Sequence, residues 1–161
     1  MSATEWDFGD GPVPARRHIN PGGSVGGWVA ETAYVAATAY VGPNAKVFGR
    51  AQVYGHASVD GLSAVFCNAR VHDNAQVFGA ARVGGHARVY ENAWVFDGAS
   101  VSGDAQVFGV AYVSGYGQVY GHAEVFERAH VFGNAHVGGN AHVCGRDLVK
   151  GTDRIFGDQG R

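Results

Sequence analysis

Apolar and polar positions recur along this chain with a period of six. From Val29 to Val149 every sixth residue is valine, twenty-one in succession, and Ile155 continues the series. Two residues before the valine the side chain is small. Between Ala33 and Ala141 it is Ala in seventeen of nineteen cases, with Ser63 and Gly117 the exceptions. A period of six is neither the 3.6 of a helix nor the 2 of a plain strand. It predicts a chain that winds, laying one short strand per unit on the face of a prism. Strand alternation points the Ala and Val one way and the residues flanking the Val the other, so the Ala–Val pair is assigned to the interior. Gly, Asn, Asp and His fill the two positions that follow, as a corner requires. The expected fold is all-β. With three units per turn the chain makes about seven turns, stacked as parallel, in-register strands. Each fully buried valine contributes roughly 1.5–3 kcal/mol.

Both ends depart from the pattern. The inner position passes from Ala to Asp147, Asp153 and Gln159, and a carboxylate is costly inside a Val/Ala prism. The coil is therefore expected to fray or turn into a cap near Asp147. At the other end Trp6, Phe8 and Trp28, with Pro12, Pro14 and Pro21, are assigned to cover the first turn, the atypical unit with which a solenoid ends. The expected organisation is an N-terminal cap over 1–28, a β-helix over 29–146 and a C-terminal turn or cap over 147–161.

Composition narrows the partners. Twelve Lys and Arg balance fourteen Asp and Glu in 161 residues, so no net field draws the chain to nucleic acid or membrane. The first residues hold Glu5, Asp7 and Asp10 and no apolar core of a leader, which gives a cytoplasmic product as the expectation. Cys67 and Cys144 fall more than four turns apart, roughly 20 Å at strand spacing, beyond disulfide reach.

The units Val47-Phe48-Gly49-Arg50-Ala51-Gln52 and Val131-Phe132-Gly133-Asn134-Ala135-His136 resemble those of the left-handed parallel β-helix, or hexapeptide-repeat, superfamily. The resemblance covers about residues 29 to 155. It implies a left-handed triangular solenoid; nothing in the period itself sets the hand. Many members are acyltransferases acting on CoA or acyl-carrier substrates as trimers, and others are scaffolds. The regular form of the units, preceded by Gly26-Gly27-Trp28, is most similar to uncharacterised repeat proteins of bacteria and their phages, often labelled transferases on fold alone. A phage or prophage origin follows from that similarity, with the bacterial cytoplasm as the site of action.

Positions 18 apart stack, so the outward residues can be read as columns. The column after the valine through Val53 runs Tyr54, His72, Tyr90, Phe108, Phe126 and then Cys144, beside Gln52, Arg70, Arg88, Gln106, Glu124 and His142. An aromatic ladder with an arginine rim predicts an interface, since such apolar patches meet partners. Its expected members are Tyr54, His72, Tyr90, Phe108, Phe126, Arg70 and Arg88. Single-stranded nucleic acid is not expected there, because rings ~4.8 Å apart leave no gap for a base. His130, His136 and His142 look like a cluster, yet six-residue spacing places them on three faces. All eight histidines are read as solvated, and no metal is assigned. An acyltransferase would need a base beside a subunit cleft. His72, which alone interrupts the ladder, is the candidate, with Asp73 after it at a corner where it need not face the ring. The unbroken count leaves no extruded loop to shape an acyl-donor tunnel. The expectation is thus a non-catalytic structural or interaction module, without cofactor, that forms a homo-oligomer (dimer or trimer) through the ladder face. The alternatives are an acyltransferase at a subunit boundary, and a module that sequesters a ligand or blocks a host protein through an inter-subunit pocket with residues such as His86 or Arg70.

Overall fold

The structure, a computed structural model, describes residues 4–157. Three strands open the chain: β1 (Glu5–Asp7), β2 (Pro12–Ile19) and β3 (Val25–Ala30). Two-residue strands follow from β4 (Tyr34–Val35) to β24 (Arg154–Ile155), each starting six residues after the last. They sort into three sheets. One holds ten strands, and the other two hold seven each. Parallel, in-register pairs join residues 18 apart, such as Val53 to Val71 and Val71 to Val89. The chain is a three-faced parallel β-helix of about seven turns, as the period predicts. The ten-stranded sheet through Val47 is called face 1, the sheet through Val53 face 2 and the sheet through Val59 face 3.

The Ala–Val pair does form the core. Every repeat valine from Val41 to Val137 has 0 % of its surface exposed. Ser63, a polar intruder at an inner position, satisfies its hydroxyl on the Asp60 and Val77 carbonyls. Adjacent coils are tied by backbone N–H groups donating along the solenoid axis, as Gln52 to Ala69, Tyr54 to Val71 and His56 to Asp73. These strand amides find their partners one coil on, while the inner Ala amides close their own corners, as Ala51 to the Phe48 carbonyl.

The corners follow one conformational rule. The second residue after the valine has positive φ at each unit from Gly49 to Gly151. Glycine occupies most of these sites, for the usual reason that it lacks Cβ. The non-glycine occupants are Cys67, Asp73, Glu91, Asp97 and Glu127. Packing explains the preference for acids. A Cβ added at Gly103 would come 2.9 Å from the Gly121 nitrogen of the next coil. An acid can turn that approach into a bond. Asp73 Oδ2 accepts the Glu91 N–H at 3.1 Å, Glu91 Oε2 accepts that of Gly109 at 2.7 Å, and Asp97 and Glu127 do the same for Gly115 and Gly145. Gly103→Ala is accordingly expected to destabilise the fold by about 1–2 kcal/mol. Gly103→Asp should recover about half of that through its new bond to Gly121. Urea unfolding of the two variants makes the comparison.

The first coil is preceded by a strand meander. β1, β2 and β3 form an antiparallel meander that prolongs face 1, and Trp28–Val29 then pairs in parallel with Lys46–Val47. Trp6 stacks on Trp28 at 4.7 Å and Phe8 on Phe48 at 4.9 Å. These stacks run along face 1, and Phe8 and Phe48 are partly buried and pack against the core cluster. Alternation sets their side: Trp28 and Phe48 flank the inward Val29 and Val47, so their stacking partners must also lie outside. Two buried polar residues, His18 and Asn20, also serve the closure. Asn20 accepts the Val41 N–H at 2.8 Å and donates to the Val41 carbonyl at 3.0 Å, and His18 Nε2 meets the Ala39 carbonyl at 2.9 Å. Their side chains take the place of a missing strand at the open edge of face 3.

At the other end β23 (Leu148–Val149) and β24 continue the parallel register. Asp153 holds an inner register position but is exposed, and its Oδ2 accepts the Lys150 N–H. Among the described residues nothing stacks on this last coil, and the carboxylate is exposed to water. Gln159 and the outermost residues of both caps, 1–3 and 158–161, lie outside the described residues.

Candidate functional site

Each strand offers two outward positions per coil, one on either side of its valine, and the surface chemistry is written in them. On face 2 the residues after the valine stack as the columns predict. Ring centroids lie 4.7 Å apart for Tyr54–His72, 5.1 Å for His72–Tyr90, 4.9 Å for Tyr90–Phe108 and 5.0 Å for Phe108–Phe126, with planes within 5° of parallel. Every ring is half-buried. Their flat faces are spent on one another, and edges are what solvent meets. The ladder is thus a ridge of ring edges more than a smooth apolar plane. Tyr90 donates its hydroxyl to Gln106 Oε1 at 3.0 Å, and burial together with Glu91 and Glu124 pushes its phenol above the ordinary tyrosine range.

The flanks of the ridge are charged. Arg70 and Arg88 are exposed on one side, and neither has an ion-pair partner among the described residues. Exposed Asp73, Glu91 and Glu127 line the corner on the other.

Asp73 does face the ring of His72, a contact that the corner position left open. Its Oδ1 lies 3.2 Å from His72 Nδ1 while its Oδ2 holds the Glu91 N–H. The positive φ of Asp73, 59°, is what swings the carboxylate back toward the preceding side chain. The hydrogen bond from His72 is the largest influence on this acid and holds its carboxyl below the ordinary aspartate value. His72 is therefore a sandwiched, anchored imidazole whose side chain is 19 % exposed. A hollow of about 440 Å³ beside it is lined by Gly55, His56, Asp73, Asn74, Glu91 and Asn92. Cys144 ends the column. Burial and the nearby Glu127 and Asp147 raise its thiol pKa, so it is a poor nucleophile.

The other histidines divide as follows. His130, His136 and His142 fall on faces 3, 1 and 2, as their spacing requires. His122 Nδ1 lies 3.6 Å from Asp104 and His142 Nδ1 lies 3.4 Å from Glu124. His86 is exposed on the corner two coils before His122. His18 is the exception to the expectation of solvated histidines. It is 6 % exposed, for the closing role already described. Among the described residues no group of three or more His, Cys, Asp or Glu is placed to hold a metal ion. Both cysteines are free, and among the described residues no helix is long and apolar enough to cross a membrane.

Face 3 carries a second aromatic group that columns read singly do not reveal. Phe78 and Phe96 follow their valines and stack at 5.0 Å. Trp94 and Tyr112 precede theirs, 5.3 Å apart. The two columns meet across the strand: Trp94 packs edge-on against Phe78 at 5.8 Å and Phe96 at 6.3 Å, and Tyr112 against Phe96 at 6.4 Å and His130 at 4.7 Å. Both outward positions of a coil share one face and lean together over the inward valine, a neighbourhood that follows from alternation. On face 1 Phe8, Phe48 and Phe66 stack, Arg82 covers Phe66 at 4.9 Å, and Gly84 leaves the room into which Phe66 leans.

Fold and surface together define a parallel β-helix whose outward residues are sorted into chemically distinct faces. No protein-family model, curated protein or solved structure matches the chain.

Proposed function

We propose that this chain is a non-catalytic structural and interaction module that self-associates through face 2. The observation that carries this reading is the stacked ridge from Tyr54 to Phe126 beside the exposed, unpaired Arg70 and Arg88. Aligned rings lose no rotamer freedom on docking, because stacking already holds them. Exposed guanidinium groups beside them supply the polar rim that interfaces use. The regular six-residue advance from β4 to β24 gives the surface a straight ridge and leaves no inserted loop within that span. A phage or prophage setting, with the module serving virion assembly or engaging a host protein, fits the repeat type.

The expected result is a mass above one chain in sedimentation equilibrium at tens of micromolar. Tyr90→Ser with Phe108→Ser should weaken association by about 30-fold or more, the effect of removing a central aromatic anchor. A monomer, or an assembly whose ladder dependence is nil, contradicts the reading.

One observation favours a second reading. His72 is oriented by Asp73 as a general base would be, at 3.2 Å through Nδ1, which leaves Nε2 for a substrate proton. An acyltransferase of the hexapeptide-repeat type acting at a subunit boundary would use it so. Saturable acetyl-CoA binding lost in His72→Ala would favour this alternative over the scaffold.

A further inference from the structure

We propose that face 3 is a separate self-association surface, on which two copies pack with their solenoids antiparallel about a twofold axis that runs along the strands.

The outward residues of this face are unlike those of the other two. Before the valines they run Ser58, Gln76, Trp94, Tyr112, His130 and Leu148. After the valines they run Asp60, Phe78, Phe96, Ser114, Phe132 and Lys150. Between Asp60 and Lys150 neither column contains Asp, Glu, Lys or Arg. Face 1 has Lys46, Arg82 and Arg154 at the equivalent positions, and face 2 has Arg70, Arg88 and Glu124. Asp60 and Lys150 stand five coil spacings of ~4.8 Å apart, about 24 Å, and bracket four uncharged coils. The adjoining corner adds Leu62 and Tyr116, exposed by 72 % and 71 %. Depletion of charge over an aromatic centre is the compositional mark of an interface core.

The charges at the two ends select the partner and its direction. Asp60 and Lys150 share one column, six coils of it apart counting both ends, both are exposed, and neither has an ion-pair partner among the described residues. A twofold axis along the strands, passing between the coils of Phe96 and Ser114, reverses the coil order and keeps each column opposite itself. It sets Asp60 against Lys150 of the second copy, twice by symmetry. The same operation places Phe78 opposite Phe132 and Trp94 opposite Tyr112 of the second copy. An axis along the solenoid instead would put Asp60 opposite Ser58 and Lys150 opposite Leu148, with no charge answered. A second copy of this chain is thus complementary to face 3 in charge and in aromatic register, and the contact closes on itself as a twofold interface must.

This contact uses none of the residues of face 2, so the two proposals can fail separately. Sedimentation equilibrium of the full chain should give a mass above two chains. Trp94→Ser with Phe132→Ser, checked for an unchanged far-UV spectrum, should reduce the mass to that of the face 2 assembly alone. Asp60→Lys should weaken the face 3 contact about tenfold by setting like charges opposite each other. Asp60→Lys combined with Lys150→Asp should restore it, since reversal of both charges re-forms each pair. An assembly indifferent to Trp94→Ser with Phe132→Ser, or a double charge reversal no better than Asp60→Lys, overturns the antiparallel contact while leaving face 2 as the interface. Dependence on face 3 without dependence on Tyr90 and Phe108 would overturn face 2 and leave this contact standing.

Discussion

Replacing Ala105 by Asp is expected to cost about 3–5 kcal/mol of stability, the penalty of an uncompensated charge in a dry interior. Ala105 is 0 % exposed, and its neighbours along the stack, Ala87 and Ala123, are also 0 % exposed. No side chain there can donate to a carboxylate, and the backbone amides of the strand are engaged between coils. The same residue type is accepted at the same inner register position at Asp153, where the last coil leaves it in water. Asp153→Ala should therefore change stability by less than about 1 kcal/mol. Urea unfolding followed by far-UV circular dichroism reads both. If Ala105→Asp unfolds within 1 kcal/mol of the parent chain, the interior admits water and the valine column is not what holds the coils together.

The second large effect belongs to the N-terminal closure. Asn20→Ala should destabilise the chain by about 2–4 kcal/mol, because it strands both the N–H and the carbonyl of Val41 in a buried setting. Asn20→Asp should recover only part of this loss, since a carboxylate can accept from the Val41 N–H but cannot donate to its carbonyl. Hydrogen exchange locates the damage: the Val41 amide should lose protection first, with central amides such as Tyr90 affected less. A solenoid behaves this way because each coil is stabilised chiefly by its neighbours, so an opened end frays inward. Equal loss of protection along the whole chain would mean that the N-terminal side chains act on the fold as a single cooperative block.

The two variants also show where sequence reasoning had purchase. Ala105 is legible because its role is periodic. The six-residue count assigns the fold, the interior pair and the columns, and those columns place Tyr54, His72, Tyr90, Phe108 and Phe126 in one stack. Asn20 and His18 are not legible in that way. They occur once, before the repeat begins, and their value depends on an edge that exists only after the coil has closed. The aromatic group of face 3 escaped for a different reason. Reading each column alone separates Trp94 from Phe96, although the valine between them turns both outward to the same side. The direction of Asp73 stayed open because its corner position alone does not fix where the carboxylate turns. Its positive φ sends the carboxylate back to His72 and onward to Glu91 at once. In each case the missing information is a contact between positions of different register, which periodicity does not encode.

The in-register stack has a consequence for how such a chain can change over generations. A strand such as Arg70–Val71 pairs only with the strands 18 residues before and after it, and each turn of the coil presents the next with the same Val, the same corner amide and the same backbone spacing. An in-frame duplication or excision of one 18-residue segment in the middle of the chain leaves the valine core and the backbone pairing at each junction equivalent to those it replaces. Length, and with it the extent of each outer surface, can then drift in steps of ~4.8 Å without disturbing either terminus. Few folds offer selection a quantity so nearly independent of everything else.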